Sequence, residues 1–334
     1  MVKEPLISVL LPVCNAAPYV KEAIESILSQ TYQHLELIVI DDGSTDESGQ
    51  VVGRVRDPRI RVFYQANQGL PSTLNRAIQM AQGAYLARQD ADDVSLPERF
   101  ERQVEFLETH RDCGMVGTWA EIRSENKDLP AIHEHPSESH ILKFELLFDN
   151  PFVHSSMMIR KSVFDRVGLY STDKSIRPAE DYELWSRAAR EFEVANIPEV
   201  LQIYRDTPGS MSKGVVNPFL ESVINISISN LAWVTERDTR DPAIVDLAAL
   251  AHAAYHRVIG IPTFQDLTSL LFEAADRLSD GYRVPRDVLR RRAQEHSHNI
   301  RCQYQYFQDS QRNGVGRRVM RWARALRRAA SAWE

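Results

Sequence analysis

Between Tyr85 and Asp93 the chain runs Tyr85-Leu86-Ala87-Arg88-Gln89-Asp90-Ala91-Asp92-Asp93, a short strand that stops abruptly in three carboxylates. Upstream, Leu35-Glu36-Leu37-Ile38-Val39-Ile40 reads as a second strand, and it ends in Asp41-Asp42-Gly43-Ser44. In an open α/β sheet, ligands bind in the crevice outside the carboxyl ends of the strands. Two acidic strand ends in one such sheet therefore predict one pocket. Carboxylates crowded there repel one another unless a cation or a ligand's donor groups hold them. Mg²⁺ suits that need, because it takes one or two protein carboxylates and completes its shell with substrate phosphates and water. The pattern predicts a phosphorylated substrate held through a metal.

The segments around these ends alternate between strand and helix. Leu6 to Leu11 reads as a buried strand closed by Pro12. Val20, Ile24, Ile27 and Leu28 then recur at helical spacing. Arg59 to Tyr64 alternates like a strand, and Leu70 to Gln82 is helical with Gly83 as its stop. Pro97 opens a further helix. Such alternation predicts an α/β fold with a mostly parallel central sheet and helices on both faces. Past residue 113 the pattern loosens into a strand over Met115 to Ala120, a polar stretch from Ser124 to His140, a helix over Glu180 to Arg190 and a strand over Val200 to Tyr204. Thr207-Pro208-Gly209-Ser210 reads as a boundary. The expected organisation is an α/β domain over 1–212 and an all-helical region over 213–334. A chain of 334 residues, 43% of them hydrophobic, can build one large core and a smaller one.

Several function classes are disfavoured. The 40 basic residues against 46 acidic ones give a net charge of −6, so no global basic field points to nucleic acid. Three distant cysteines, Cys14, Cys113 and Cys302, suggest neither a disulfide framework nor a zinc site, and they favour a reducing compartment. No secretory leader is visible, and no apolar run approaches the ~18 residues of a membrane span, so a cytoplasmic location is expected. Neither Gly-X-Gly-X-X-Gly nor Gly-X-X-X-X-Gly-Lys occurs, which argues against dinucleotide redox and P-loop chemistry.

Three acidic clusters remain: Asp41-Asp42, Asp90-Ala91-Asp92 and Glu180-Asp181. Singly each has a plain reading. Aspartate after a strand is ordinary turn chemistry, and acids suit the start of a helix. In combination they sit among Ile7-Ser8-Val9-Leu10-Leu11-Pro12-Val13-Cys14-Asn15, Ile27-Leu28-Ser29-Gln30-Thr31-Tyr32, Asn67-Gln68-Gly69 and Leu74-Asn75-Arg76-Ala77. This combination resembles family 2 glycosyltransferases, densely over 6–110 and more thinly to about residue 212.

The resemblance implies a GT-A nucleotide-sugar-binding fold and inversion at the anomeric carbon. By position, Pro12, Asn15 and Asp42 would surround the nucleotide base, with Asp42 accepting from a ring N–H. Asp90 would lie by the ribose, and Asp92 would bind Mg²⁺ or Mn²⁺ bridging the diphosphate. Asp181 would be the general base with Glu180 beside it. His154, in Asn150-Pro151-Phe152-Val153-His154, falls near the acceptor side, as a substrate contact or a packing residue. The implied donor is a nucleotide sugar, UDP ahead of dTDP and GDP. The implied acceptor is a saccharide or a lipid-linked group, in cell-surface polysaccharide or glycoconjugate synthesis. The chain departs from the pattern at Tyr204-Arg205-Asp206-Thr207, where many relatives carry His in place of Thr207. Gln202-Ile203-Tyr204-Arg205 also lacks the tryptophan of polymer-making synthases, so transfer of one sugar is expected.

The competing enzyme is a nucleotidyltransferase on a similar sheet, which would open with a glycine- and arginine-rich loop absent between Leu11 and Ala17. The non-enzyme alternative is an inactive sugar-nucleotide-binding module. Near the C-terminus, Arg317, Arg321, Arg324 and Arg328 fall on one helical face, opposite Val319, Trp322, Leu326 and Trp333. That pattern predicts an interfacial helix on an anionic membrane surface, peripheral on the inner face, unless the stripe docks on the protein's own core.

Overall fold

A computed structural model describes residues 4–124, 130–207 and 219–312. The chain forms two units. The first runs to Glu145 and resumes from Asn150 to Phe219, and the second takes Leu146–Asp149 and continues from Leu220.

The first unit begins with β1 (Ile7–Val13), α1 (Val20–Leu28), β2 (Leu35–Asp42), α2 (Ser48–Arg54), β3 (Ile60–Gln65), α3 (Leu70–Met80) and β4 (Tyr85–Arg88). It continues with β5 (Val94–Ser95), α4 (Arg99–Thr109), β6 (Cys113–Ser124), β7 (Ala131–His133) and α5 (Ser139–Glu145). A short 3₁₀ turn over His154–Ser156 leads to β8 (Met158–Arg160), α6 (Lys161–Val167), α7 (Glu180–Glu191) and β9 (Glu193–Asp206). One sheet has the order β3-β2-β1-β4-β8-β6-β9-β5, with β7 paired to β6. The run β3-β2-β1-β4 is parallel. β8 is antiparallel to both its neighbours, while β6 and β9 pair in parallel along a long ladder.

β1 lies between β2 and β4, with Ile7 opposite both Leu35 and Tyr85. The two acidic strand ends consequently leave the sheet at the same edge. Every residue of β2 is buried, as expected for a parallel strand covered on both faces. Val20, Ala23, Ile24 and Ile27 of α1 and Phe100, Val104 and Leu107 of α4 close over Val9, Leu11, Leu37 and Val39. That apolar layer fixes the strand ends that carry the carboxylates.

Two local expectations change. Pro12 lies inside β1, opposite Ile40, and does not close the strand. β4 leaves β1 after Leu10, so at Pro12 the strand has one neighbour and a missing N–H is tolerated. Gly83 is not the cap of α3, which ends at Met80 with Ala81 in extended geometry. A Cβ at Gly83 would lie 2.6 Å from the Leu6 carbonyl oxygen and the Ser8 nitrogen, so the glycine is needed where the chain passes close to β1.

The second unit holds α8 (Leu220–Thr235), α9 (Pro242–Ala251), α10 (Phe264–Tyr282) and α11 (Arg286–Arg312). Asp241 and Thr263 cap α9 and α10 by accepting from Ala243 and Asp266 N–H groups. Ser227 and Asn230 of α8 donate to the Leu147 and Leu146 carbonyls at 2.7 and 2.6 Å, which ties the Leu146–Asp149 segment to this helical unit. Among the described residues no helix is long and apolar enough to cross a membrane. The arginine stripe from Arg317 to Arg328 lies outside the described residues.

Candidate active site at the acidic sheet edge

At the end of β2, Asp42 is 3% exposed and its carboxylate gathers three donors. Oδ1 accepts from Gln65 Nε2 at 2.7 Å and from the Gln68 N–H at 2.8 Å, and Oδ2 accepts from the Gly69 N–H at 2.9 Å. A carboxylate offers about four acceptor positions, so one remains on Oδ2. The β1 and β2 loops are laced together. Asn15, at a left-handed φ of 52°, accepts the Thr45 N–H at 2.8 Å and donates its own N–H to Ser44 Oγ at 3.0 Å. Asp46 accepts from Ala17 N–H at 3.0 Å, and Ser48 Oγ accepts from Ala16 N–H at 2.8 Å. Pro12, Asn15 and Asp42 thus belong to one edge.

At the end of β4, Arg88 and Asp90 form an ion pair in which the guanidinium is 2% exposed and the carboxylate 29%. Asp92 and Asp93 follow on the same turn. Burial, with Asp90 adding to it, pushes the Asp92 carboxyl up to about 6. Burial and then the Asp90 and Asp92 charges push Asp93 up to about 8. Asp93 accepts the Arg205 N–H at 2.9 Å, tying this turn to the end of β9. Beneath it Arg99 is fully buried and donates to Gln89 at 2.9 Å, Ser95 at 2.8 Å, Gln202 at 3.0 Å and the Arg88 carbonyl at 2.8 Å. This network fixes the backbone that presents Asp90 and Asp92.

The third cluster opens α7, where the helix N-terminus favours negative charge. Asp181 accepts from Asn150 Nδ2 at 2.8 Å and from the Tyr182 N–H at 2.8 Å. Burial, then the neighbouring Glu180, raises its carboxyl to about 6. Glu180 is 4% exposed and is also raised, by burial first, with Arg88 and Arg177 opposing. His154 Nδ1 stands 3.9 Å from Asp181 Oδ2, too far for a hydrogen bond, and its Nε2 meets the Tyr170 hydroxyl at 3.1 Å. Burial, then Arg88, holds His154 well below the usual imidazole range, so the ring is neutral at pH 7. Trp185 is fully buried, with its ring 5.9 Å from His154 and 6.0 Å from Tyr170. It is a core residue here, as its helical position suggests.

The fold therefore joins clusters that lie about ninety residues apart in sequence. The Arg88 charge bears on Glu180, Asp181, His154 and Tyr170, and Asp90 bears on Glu180. The Asp42 side connects through Gly69, whose Cβ, if present, would lie 3.1 Å from Arg177 Nη1. The sequence signalled Asp42, Asp90, Asp92, Glu180 and Asp181 through their acidity. It gave no comparable signal for Arg88 or Arg99, and it held Asn150 and Tyr170 only within stretches of the thinner resemblance; all four act through contacts made only after folding.

Among the described residues no three His, Cys, Asp or Glu side chains are grouped to hold an ion. The donor at this edge is the hard carboxylate oxygen of Asp92, Asp90 being engaged by Arg88. It fits Mg²⁺ or Mn²⁺ completed by substrate oxygens and does not fit a closed zinc site. Asp206 accepts from Ser124 Oγ at 3.0 Å within the β6–β9 pair, and Thr207 is buried.

The model of the family described as "Glycosyl transferase family 2" matches residues 8–168. The putative glycosyltransferase EpsE of Bacillus subtilis (strain 168) is 35% identical over 212 residues, 60% of this chain and 73% of that protein. An uncharacterized glycosyltransferase of Haemophilus influenzae is 33% identical over 271 residues, 75% of this chain and 81% of that protein. The crystal structure of S. aureus TarS 1-349 in complex with UDP-GlcNAc aligns with a TM-score of 0.59 at 18% identity, covering 92% of each chain. Mannosyltransferase PcManGT from Pyrobaculum calidifontis, in complex with GDP-Man and Mn²⁺, aligns at 0.53 and 16% identity, covering 91% of this chain and 87% of that one. At such identities the structural likeness concerns the fold, which is that of the GT-A glycosyltransferases. With relatives of this identity and coverage, the chain is a glycosyltransferase and belongs to glycosyl transferase family 2.

Proposed function

We propose that this glycosyltransferase is inverting and metal-dependent, and that it moves one sugar from a nucleotide-sugar donor to an acceptor hydroxyl. The observation that carries the reading is Asp181, a half-buried carboxyl at a helix N-terminus, raised to about 6 and set against the Arg88–Asp90 pair. An inverting transfer is a single displacement. The acceptor oxygen bonds to the anomeric carbon as the bond to the diphosphate breaks, and the acceptor proton passes to a base. A carboxylate does this when placed within ~2.6–3.2 Å of the hydroxyl, and it serves best with a pKa near the working pH. Asp181 takes that role with Glu180 beside it. His154, neutral and packed by Tyr170 and Trp185, forms part of the acceptor wall.

On the donor side, Pro12, Asn15 and Asp42 receive the nucleotide base, with the remaining acceptor position of Asp42 available to a ring N–H. Asp90 lies by the ribose. Bound at Asp92, Mg²⁺ or Mn²⁺ would neutralise charge on the departing diphosphate. Solved relatives of the fold carry UDP-GlcNAc, UDP, or GDP-Man with Mn²⁺, which supports a nucleotide sugar, UDP first. The acceptor in this reading is a saccharide or lipid-linked group of a cell-surface polysaccharide or glycoconjugate. The Arg317, Arg321, Arg324 and Arg328 face would hold the enzyme at the anionic inner surface of the membrane.

The test is release of nucleoside diphosphate from a panel of nucleotide sugars with and without Mn²⁺. Wild type is expected to turn over at least one donor in a Mn²⁺-dependent manner. Asp181→Asn is expected to keep donor binding and lose turnover. Metal-independent turnover, or an active Asp181→Asn variant, would sink the reading.

A further inference from the structure

The side-chain amide of Asn150 is fixed from both ends. Its Oδ1 accepts the Phe152 N–H at 3.2 Å, closing a turn over Pro151. Its Nδ2 donates to Asp181 Oδ2 at 2.8 Å. Flipping the amide would set Nδ2 against the Phe152 N–H, donor against donor, and would turn Oδ1 toward a carboxylate. The hydrogen bonds therefore determine the orientation.

The turn is itself pinned. Asn196 of β9, 1% exposed, donates to the Pro136 carbonyl at 2.9 Å and to the Pro151 carbonyl at 3.0 Å. Gly117 of β6 leaves the room for this, since a Cβ there would collide with Asn196 Oδ1. A buried strand thus sets the turn, and the turn sets the amide.

The groups facing Asp181 come from several elements. Glu180 of α7 opposes its ionisation. Arg88 of β4 favours it but is committed to Asp90. His154 of the 3₁₀ turn is beyond hydrogen-bond reach and is neutral, and Tyr170 is bonded to His154. The Asn150 amide donates directly to the carboxylate.

We infer that Asn150 is the positioning residue for Asp181: its amide holds Oδ2 so that the carboxylate stays ionised and turned toward the acceptor hydroxyl. The inference rests on Asp181 being the base. A hydrogen bond to the charged form of a carboxyl favours that form, so its loss raises the pH needed for activity.

Asn150→Asp is the discriminating variant. It keeps an acceptor for the Phe152 N–H and nearly the same shape, and replaces the donor with a carboxylate oxygen. Asn150→Ser keeps a neutral turn-forming acceptor but is too short to reach Asp181. Both are assayed with the panel nucleotide sugar that wild type turns over fastest. Donor KM is expected to stay at the wild-type value, and both variants are expected to fold, with a lower melting temperature for Asp than for Ser because a carboxylate then faces a carboxylate. The kcat at pH 7 is expected to fall about tenfold or more. The acid limb of the kcat–pH profile is expected to move up by about one unit or more, further for Asp than for Ser. Wild-type kcat and an unmoved acid limb in both variants would overturn the inference. Asp181→Asn in the same assay separates the two failures. If it is inactive while the Asn150 variants are normal, the positioning role alone fails. If it is active, the base assignment fails and the positioning role with it.

Discussion

Arg88 and Asp90 pair at the end of β4 with the cation almost wholly buried and the carboxylate still reaching solvent. The Arg88 charge also bears on Asp92, Glu180 and Asp181 and favours their ionised forms. Arg88→Met should therefore remove the compensation of several carboxylates at once. Breaking a buried pair by deleting one partner typically costs about 3–5 kcal/mol, and the partial exposure of Asp90 argues for the lower end. Urea denaturation at pH 7 is expected to show a loss near that lower end. A loss under about 1 kcal/mol would mean that solvent screens the pair as it does a surface one.

The pH dependence follows from Asp181. Burial and Glu180 raise its carboxyl from 3.8 to about 6. A base must be ionised, so kcat is expected to be level above that value and to fall as pH drops through about 6. The stability effect has the opposite sense. Between the unfolded value of 3.8 and the folded value near 6 the native state binds the proton more tightly. The stability this group contributes is complete below that window and is lost as pH rises through it. A kcat profile showing no acid limb between pH 5 and 7 would contradict the assignment.

Asp92→Asn separates metal from fold. The ionised Asp92 is opposed by burial and by Asp90, so the variant should melt higher than wild type when neither metal nor nucleotide is present. With Mn²⁺ and UDP added, wild type should gain thermal stability by linkage, and the variant should gain little. Differential scanning fluorimetry with Mn²⁺ alone, UDP alone and both would read this. Equal shifts in the two proteins would show that Asp92 does not support donor binding.

The first half of the sheet was legible because its signals are local. Apolar runs ending in Asp, and the apolar stripes of α1 and α3, need no knowledge of distant partners. β9 was harder. Only Val200 to Tyr204 reads as a strand, yet the strand begins at Glu193. Its ladder with β6 shifts register at Cys113/Met115, Thr118/Trp119 and Trp119/Ala120, and such irregularities blur the alternation that marks a strand. Pro12 and Gly83 were misread because each depends on a neighbouring strand, β4 for one and β1 for the other. In the site, the carboxylates announce themselves and their supports do not. Arg88 stands in the strand run without a role of its own until β1 and β8 enclose its strand. Asn150 stands only as the first residue of the stretch that holds His154 until the chain folds α7 back against it.

If Arg317, Arg321, Arg324 and Arg328 make the proposed membrane contact, that contact is separable from the rest of the chain. Removing the residues after Asn313 should release the protein from vesicles containing anionic lipid while leaving nucleotide binding intact, because those residues lie outside the nucleotide-binding segments. Co-sedimentation at two salt concentrations would read the electrostatic part. Undiminished binding of the truncated protein would rule this face out as the anchor.

Gly69 links the Asp42 end of the candidate site to Arg177. Its backbone sits at φ 84° and ψ 161°, a region open in practice only to glycine. Its N–H reaches Asp42 Oδ2 at 2.9 Å, and a Cβ would press on Arg177 Nη1 at 3.1 Å. Gly69→Ala must therefore either hold a strained backbone, at about 1–3 kcal/mol, or relax and give up the Asp42 hydrogen bond. Relaxation would move the loop that orients Asp42 and shift Arg177 away from Glu180. Expected together are a lower melting temperature and weaker UDP binding by titration calorimetry, with the secondary structure unchanged by circular dichroism. If the melting temperature fell while UDP affinity stayed at the wild-type value, the Asp42–Gly69 contact would be a structural tie alone, and the nucleotide base would have to be recognised elsewhere.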